Sequence, residues 1–202
     1  LCAGTNVGLY FSADAGSSWA RAAQPGAGVL SLAAGPAGRV WAGTFGQGVF
    51  RSADRGATWE SGEGVMAEAI VFCLAAVPEG RQVYAGTAEG LYASSDGGRT
   101  WRVAGAVLQG LSVRAVQLFA DPAQLMVGTF GGGIFKSGDG GQTWAALNKG
   151  LEDLSVRGLS AESGSSAVLY AATSTRGFFR SRDGGLQWRS FNAGLPGLST
   201  RS

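Results

Sequence analysis

The segment Ser137-Gly-Asp-Gly-Gly-Gln-Thr-Trp144 is one of five copies of a single motif. The other copies are Ser12-Ala-Asp-Ala-Gly-Ser-Ser-Trp19, Ser52-Ala-Asp-Arg-Gly-Ala-Thr-Trp59, Ser94-Ser-Asp-Gly-Gly-Arg-Thr-Trp101 and Ser181-Arg-Asp-Gly-Gly-Leu-Gln-Trp188. The central acids are spaced by 40, 42, 43 and 44 residues: Asp14, Asp54, Asp96, Asp139 and Asp183. Five of the 6 tryptophans occupy the last motif position. A period of this length indicates one supersecondary unit used repeatedly.

A second pattern leads into each copy of the motif. Four residues that end in threonine come first, as in Cys2-Ala-Gly-Thr5, Trp41-Ala-Gly-Thr44 and Met126-Val-Gly-Thr129, and an aromatic follows two residues before the motif serine. This alternation predicts strands with one buried face. In the fourth repeat we predict strands over residues 113–120, 125–129 and 133–137, with a fourth strand beginning near Trp144.

These units predict an all-β chain, since no stretch has a capped helical period, and four strands per unit are typical of a propeller blade. We therefore expect a single five-bladed β-propeller domain over residues 1–202, with four antiparallel strands per blade. The predicted blades are 1–23 plus 198–202, 28–64, 69–106, 112–149 and 155–193. The C-terminal Leu198-Ser-Thr-Arg-Ser202 copies Leu111-Ser-Val-Arg114 and is predicted to close blade 1. A slice of a seven-bladed propeller, a fragment of a larger assembly or an engineered repeat scaffold remain alternatives.

The composition excludes several chemistries. The chain has no histidine, so mechanisms that need imidazole are excluded, and its 2 cysteines are too few for a four-thiolate metal site. Cys2 and Cys73 fall in different repeats and are expected to be free thiols. A net charge of +2 does not suggest a nucleic-acid partner, and the longest apolar runs, such as 69–77, are too short for a transmembrane helix. We expect no metal, no cofactor and no catalytic residue; the oligomeric state stays open.

The motif resembles the Asp box, the bacterial neuraminidase repeat (BNR), with the pattern Ser-x-Asp-x-Gly-x-Thr-Trp. The lead-in makes the chain similar to sialidase-like, xyloglucanase-like and photosystem II assembly-factor-like propellers. The resemblance implies a turn between the third and fourth strands of each blade, with a structural role for the acids and tryptophans, and an extracellular or periplasmic location. The residues that carry this role are Asp14, Trp19, Asp54, Trp59, Asp96, Trp101, Asp139, Trp144, Asp183 and Trp188. A carboxylate at that place can accept turn N–H groups that no ladder satisfies.

One feature breaks the repeat near the start of the first strand. Arg114, Arg157 and Arg201 share a position there, which we align with Gly28 and Ile70 in the other two blades. Three guanidinium groups near a channel mouth would suit an anion or an acidic protein segment, because arginine is a fork-shaped, permanently charged donor. The alternative is that each arginine pairs with a loop acid; the candidates are Glu68, Glu152 and Asp153.

A carbohydrate site is a further alternative, because Phe45 and Phe130 in Gly-Thr-Phe-Gly turns could stack on a sugar. Enzymatic activity is less favoured: the Arg-Ile-Pro motif of sialidases is absent, and Glu68 with Asp153 is the best of the poor carboxylate pairs. The predicted function is a non-catalytic binding or assembly module that recognises a protein or an anionic ligand. The alternatives are a lectin-like or glycoside-hydrolase-related propeller, or a scaffold.

Overall fold

The computed structural model describes residues 1–121 and 123–199. Contacts divide the chain into two compact units, Leu1–Val103 (the first unit) and Ala104–Ser202 (the second unit). The described residues are all-β, as predicted; their helical content is three single-turn 3₁₀ segments, Pro36–Gly38, Gly64–Met66 and Ala106–Leu108.

The first unit contains three antiparallel sheets whose strands follow one another in chain order. The first has three strands among the described residues: β1 (Cys2–Thr5), β2 (Gly8–Phe11) and β3 (Ala20–Arg21). The second contains β4 (Val29–Ala34), β5 (Val40–Thr44), β6 (Val49–Ser52) and β7 (Glu60–Ser61). The third contains β8 (Val71–Ala76), β9 (Val83–Thr87), β10 (Gly90–Ser94) and β11 (Arg102–Val103).

The second unit contains two four-stranded sheets of the same order. One holds β12 (Ser112–Leu118), β13 (Leu125–Phe130), β14 (Gly133–Ser137) and β15 (Ala145–Ala146). The other holds β16 (Val156–Ala161), β17 (Leu169–Thr173), β18 (Gly177–Ser181) and β19 (Arg189–Ser190). The four strands predicted for the fourth repeat are thus present with ends shifted by two residues or fewer.

Most of the predicted closing strand of blade 1 lies outside the described residues. Residues 200–202, which include Arg201, lie outside the described part of the chain, and residues 198–199 are not in a strand. That prediction therefore stays a prediction.

The first strand of each four-stranded sheet carries a β-bulge at the same point. The register shifts between Val29 and Ser31 in β4, and at the equivalent places in β8, β12 and β16. The four residues at the shift are Leu30, Phe72, Arg114 and Arg157. The alignment of Arg114 with Gly28 and Ile70 was therefore wrong by two residues: the equivalent residues are Leu30 and Phe72, which follow a buried valine as Arg114 does.

The glycine of the lead-in is explained by a close approach between neighbouring sheets. A Cβ on Gly43 would lie 2.6 Å from Val71 Cγ1, and a Cβ on Gly128 would lie 2.6 Å from Val156 Cγ1. Val71 and Val156 are fully buried, and each belongs to an apolar cluster. Glycine at this position lets the first strand of the next sheet pack against the ladder, so the repeat preserves a contact surface as well as a turn.

Candidate functional site

The repeated motif is a hydrogen-bonded turn in every copy. In the fourth copy the Ser137 hydroxyl donates to Asp139 Oδ1 at 2.8 Å and accepts the Gly141 amide at 2.9 Å. Asp139 also accepts the amide and the hydroxyl of Thr143. These hydrogen bonds, that of the Thr143 hydroxyl foremost, hold the pKa of Asp139 well below its usual range. The prediction that the motif acid satisfies turn N–H groups is confirmed, and the acid is committed to structure.

The glycines after the motif acid adopt positive φ, as predicted. Gly140 and Gly141 have φ of 73° and 87°. In the first two copies the first of these places is taken by Ala15 and Arg55, which also have positive φ, 57° and 61°. The turn geometry is therefore retained even where the side chain disfavours it.

The motif tryptophans contact the preceding sheet of their unit where one exists. Trp59 lies 6.0 Å from Phe11 between ring centroids, and Trp188 donates its indole N–H to the Leu147 carbonyl at 2.8 Å. Trp188 is 1% exposed, whereas Trp19 is 44% exposed, because the sheet of Trp19 is the first in its unit. The predicted packing therefore holds for Trp59 and Trp188 and not for Trp19 within the first unit.

The second unit brings three of the five predicted ligand-binding residues together. The guanidinium carbon of Arg114 lies 5.8 Å from the centroid of the Phe130 ring, and that of Arg157 lies 5.9 Å from the same centroid. Both distances are within the range of cation–π contacts. Phe130 itself is 48% exposed, so a charged and aromatic patch faces solvent. We call these residues the Arg114–Phe130–Arg157 patch.

Two serines orient the arginines of this patch. Arg114 Nε donates to Ser112 Oγ at 2.9 Å, and Arg157 Nε donates to Ser174 Oγ at 2.9 Å. Ser112 is directly opposite Phe130 in the ladder. Sequence reasoning missed both serines; Ser112 could have been found, since residues two apart in a strand share a face.

The predicted pairing of Arg157 with a neighbouring loop acid is not observed. Asp153 instead accepts the amides of Ser155 and Thr175 and the Thr175 hydroxyl, each at 2.8 Å. Burial by itself would raise the pKa of Asp153, but these hydrogen bonds lower it by a larger amount, so the pKa of Asp153 lies below its usual value. Among the described residues, no carboxylate lies within 4.0 Å of the Arg157 guanidinium. Asp153 is therefore an ionised turn acid and a poor general acid.

The remaining predicted residues do not join this patch. Phe45 lies in the first unit, is 63% exposed and bridges to Ile70. The equivalent bulge positions in that unit hold the apolar residues Leu30 and Phe72 in place of arginines. Arg201 lies outside the described residues. Cys2 and Cys73 do not form a disulfide bond with each other, as predicted, and burial raises the pKa of Cys2, with the N-terminal charge opposing it.

Comparisons with solved structures support a β-propeller fold. The chain is similar to the GH74 xyloglucanase from Xanthomonas campestris (TM-score 0.73, 20% identity, 96% of this chain and 36% of that one). It is also similar to the GH74 enzyme from Niastella koreensis (0.74, 19%, 93% and 35%). A third similar structure is the extracellular domain of a putative one-component system from B. thetaiotaomicron (0.73, 15%, 89% and 25%).

At these identities the likeness concerns the fold alone, and the chain spans about a quarter to a third of the length of those structures. No protein-family model matches the sequence, and no curated protein matches it either. None of the helices in the described residues is long and apolar enough to cross a membrane.

Proposed function

We propose that this chain is a non-catalytic binding module of the Asp-box propeller type, which recognises an acidic protein segment through the Arg114–Phe130–Arg157 patch. The observation that carries the proposal is the placement of two guanidinium groups against one exposed aromatic ring. Carboxylates can pair with the guanidinium edges while the carbon chains that bear them lie on the ring.

The motif hydrogen bonds and the lead-in support the assignment to the Asp-box class, and the five sheets agree with five blades. An extracellular or periplasmic location is part of the proposal; one structural neighbour is an extracellular domain. We propose that the patch recognises and does not catalyse, because Asp153, the acid beside it, is committed to backbone amides.

A test uses the purified chain and two probes, hexaglutamate and a neutral xyloglucan oligosaccharide, measured by isothermal titration calorimetry at fixed ionic strength. We expect hexaglutamate to bind and the double variant Arg114→Gln/Arg157→Gln to bind at least about tenfold more weakly, since a hydrogen bond to a charged group contributes about 1.5–3 kcal/mol. Arg102→Gln is the matched control, because Arg102 is exposed and lies in the other unit. Equal weakening by the control, or no binding of hexaglutamate, would overturn the proposal.

Carbohydrate binding is the second candidate. It is favoured by the exposure of Phe45 and Phe130 and by the likeness to a xyloglucanase. Binding of the neutral oligosaccharide that is lost in Phe45→Ala and unchanged in the double arginine variant would support it and count against the anion site.

A further inference from the structure

A second cationic site lies in the first unit, on the side of the sheets where the motif turns are found. It is a cleft of about 460 Å³ between the sheet of β4–β7 and the sheet of β8–β11. This cleft is lined by residues of the motif turns, whereas the Arg114–Phe130–Arg157 patch contains the residues at two first-strand bulges. The two sites are therefore built from different parts of the repeat. Ligand sites for small molecules commonly have about 300–1,000 Å³.

Four arginines from four different segments line this cleft: Arg39, Arg51, Arg81 and Arg99. Two carboxylates, Glu60 and Asp96, line it as well, which leaves two positive charges in excess. Glu60 forms a salt bridge with Arg51. The guanidinium groups of Arg39, Arg81 and Arg99 do not take part in that salt bridge.

Asp96 does not neutralise those three groups by direct contact. Its oxygens accept the Ser94 hydroxyl, the amides of Arg99 and Thr100 and the Thr100 hydroxyl. Among residues 1–121 and 123–199, no carboxylate lies within 4.0 Å of the guanidinium group of Arg39, Arg81 or Arg99. The cleft therefore presents cationic donors that no described acid contacts.

The walls of the cleft are fixed by hydrogen bonds within and between the two sheets. Trp41, 1% exposed, donates its indole N–H to the Gly97 carbonyl at 2.9 Å, and the Gly97 amide donates to the Arg81 carbonyl at 2.8 Å. Arg39 Nη1 donates to the Gly80 carbonyl at 3.3 Å. A ligand would meet a framework that is already ordered, so less conformational entropy is lost on binding.

We propose that this cleft binds a small molecule that carries two or more phosphate or sulfate groups. Each such group offers several oxygens to the planar guanidinium fork, which lysine cannot match in geometry. A monovalent anion would engage only one of the arginines, whereas a divalent molecule engages arginines from both sheets. The excess of two positive charges is balanced by a ligand of that class.

The experiment titrates the full chain with pyrophosphate and, separately, with a disulfated disaccharide, at fixed ionic strength by calorimetry. We expect saturable binding of at least one probe. Arg39→Gln and Arg99→Gln should each weaken it about tenfold or more, and Arg102→Gln, an exposed change on the same sheet, should stay within about twofold. Tighter binding of pyrophosphate assigns a phosphorylated ligand, and tighter binding of the disaccharide a sulfated one.

Two further measurements keep the result interpretable. Arg99 is exposed, so Arg99→Gln is expected to fold even if Arg39→Gln does not. Arg114→Gln/Arg157→Gln should leave binding in the cleft unchanged, which separates this site from the proposed functional patch. Absence of saturable binding by both probes, or equal weakening in Arg102→Gln, would show that the arginines form only a solvated face and would overturn the proposal.

Discussion

The two units use the same backbone at the bulge of the first strand and fill it with different chemistry. In the first unit the bulge residues are Leu30 and Phe72, whereas in the second they are Arg114 and Arg157. The surrounding ladder is the same in both, including an exposed phenylalanine at the second-strand turn. The repeat therefore preserves the residues that pack between sheets or form the motif turn. The bulge residue has neither role, and it is the position at which the two units differ.

The largest expected contrast concerns the two end tryptophans. Trp188→Ala should lower the free energy of unfolding by about 3–5 kcal/mol, because it empties a fully buried site. Trp19→Ala should cost much less, since nearly half of that side chain is already exposed. Chemical denaturation of the two variants checks this; similar losses would mean that Trp19 is covered in solution.

The two units should respond alike when a side chain is added at the glycine of the lead-in. Gly43→Ala and Gly128→Ala each force a Cβ against a valine of the next sheet at 2.6 Å, so both should destabilise by about 1–3 kcal/mol. Thermal unfolding of the two variants is the measurement. A neutral effect in one unit would show that the shared close approach is not a shared constraint.

The bulge residues of the first unit can be replaced by the arginines that the second unit has at the same positions. Leu30→Arg/Phe72→Arg should place two guanidinium groups beside Phe45 and raise the hexaglutamate stoichiometry from one to two sites per chain. Leu30→Arg should cost less stability than Phe72→Arg, because Leu30 is 45% exposed whereas Phe72 is partly buried. Calorimetry gives the stoichiometry. An unchanged value would show that the bulge residue does not determine the chemistry of the site.

The smallest expected effect concerns the hydroxyl of the motif. Hydrogen bonds, that of the Thr58 hydroxyl foremost, lower the pKa of Asp54 to about 2, whereas the fifth copy has Gln187 at the position of Thr58. Thr58→Val should therefore raise the Asp54 pKa towards its ordinary 3.8, as read from a carboxyl NMR titration. Thr143→Val is a control that should leave Asp54 unchanged.

The sign of the pH dependence follows from this depressed pKa. The stabilisation from Asp54 is fully present above its ordinary pKa of 3.8 and is lost as the pH falls through about 2. Thr58→Val should therefore lower stability at neutral pH and make it less dependent on pH between 4 and 2. A pH profile parallel to that of the unchanged chain would contradict this reasoning.

Much of the local structure could be predicted because the repeat samples each position five times. The strands of the fourth repeat, the hydrogen-bonded motif acid and the positive φ of its glycines all depend on short-range geometry. The grouping of Arg114 and Arg157 was also anticipated. Their alignment with Gly28 and Ile70 was not correct, because it did not follow the buried valine that precedes the bulge residue in all four strands.

The arginine cleft and the orienting serines could not be predicted in the same way. Arg39, Arg51, Arg81 and Arg99 are scattered over two repeats and occupy different positions in them. Only the packing of one sheet on the next brings these side chains to a common space. Similarly, Arg157 takes Ser174 as its partner and Phe130 as its aromatic neighbour from two different sheets.

The sequence by itself determined the strand order, the turn chemistry and the all-β class, because alternation and turn residues act over a few positions along the chain. The tertiary structure decided which charges converge, which tryptophan is covered and why the lead-in needs glycine, because those properties depend on distances between sheets. Gly43 illustrates the division: the repeat marks it as special, and only the contact with Val71 gives the reason.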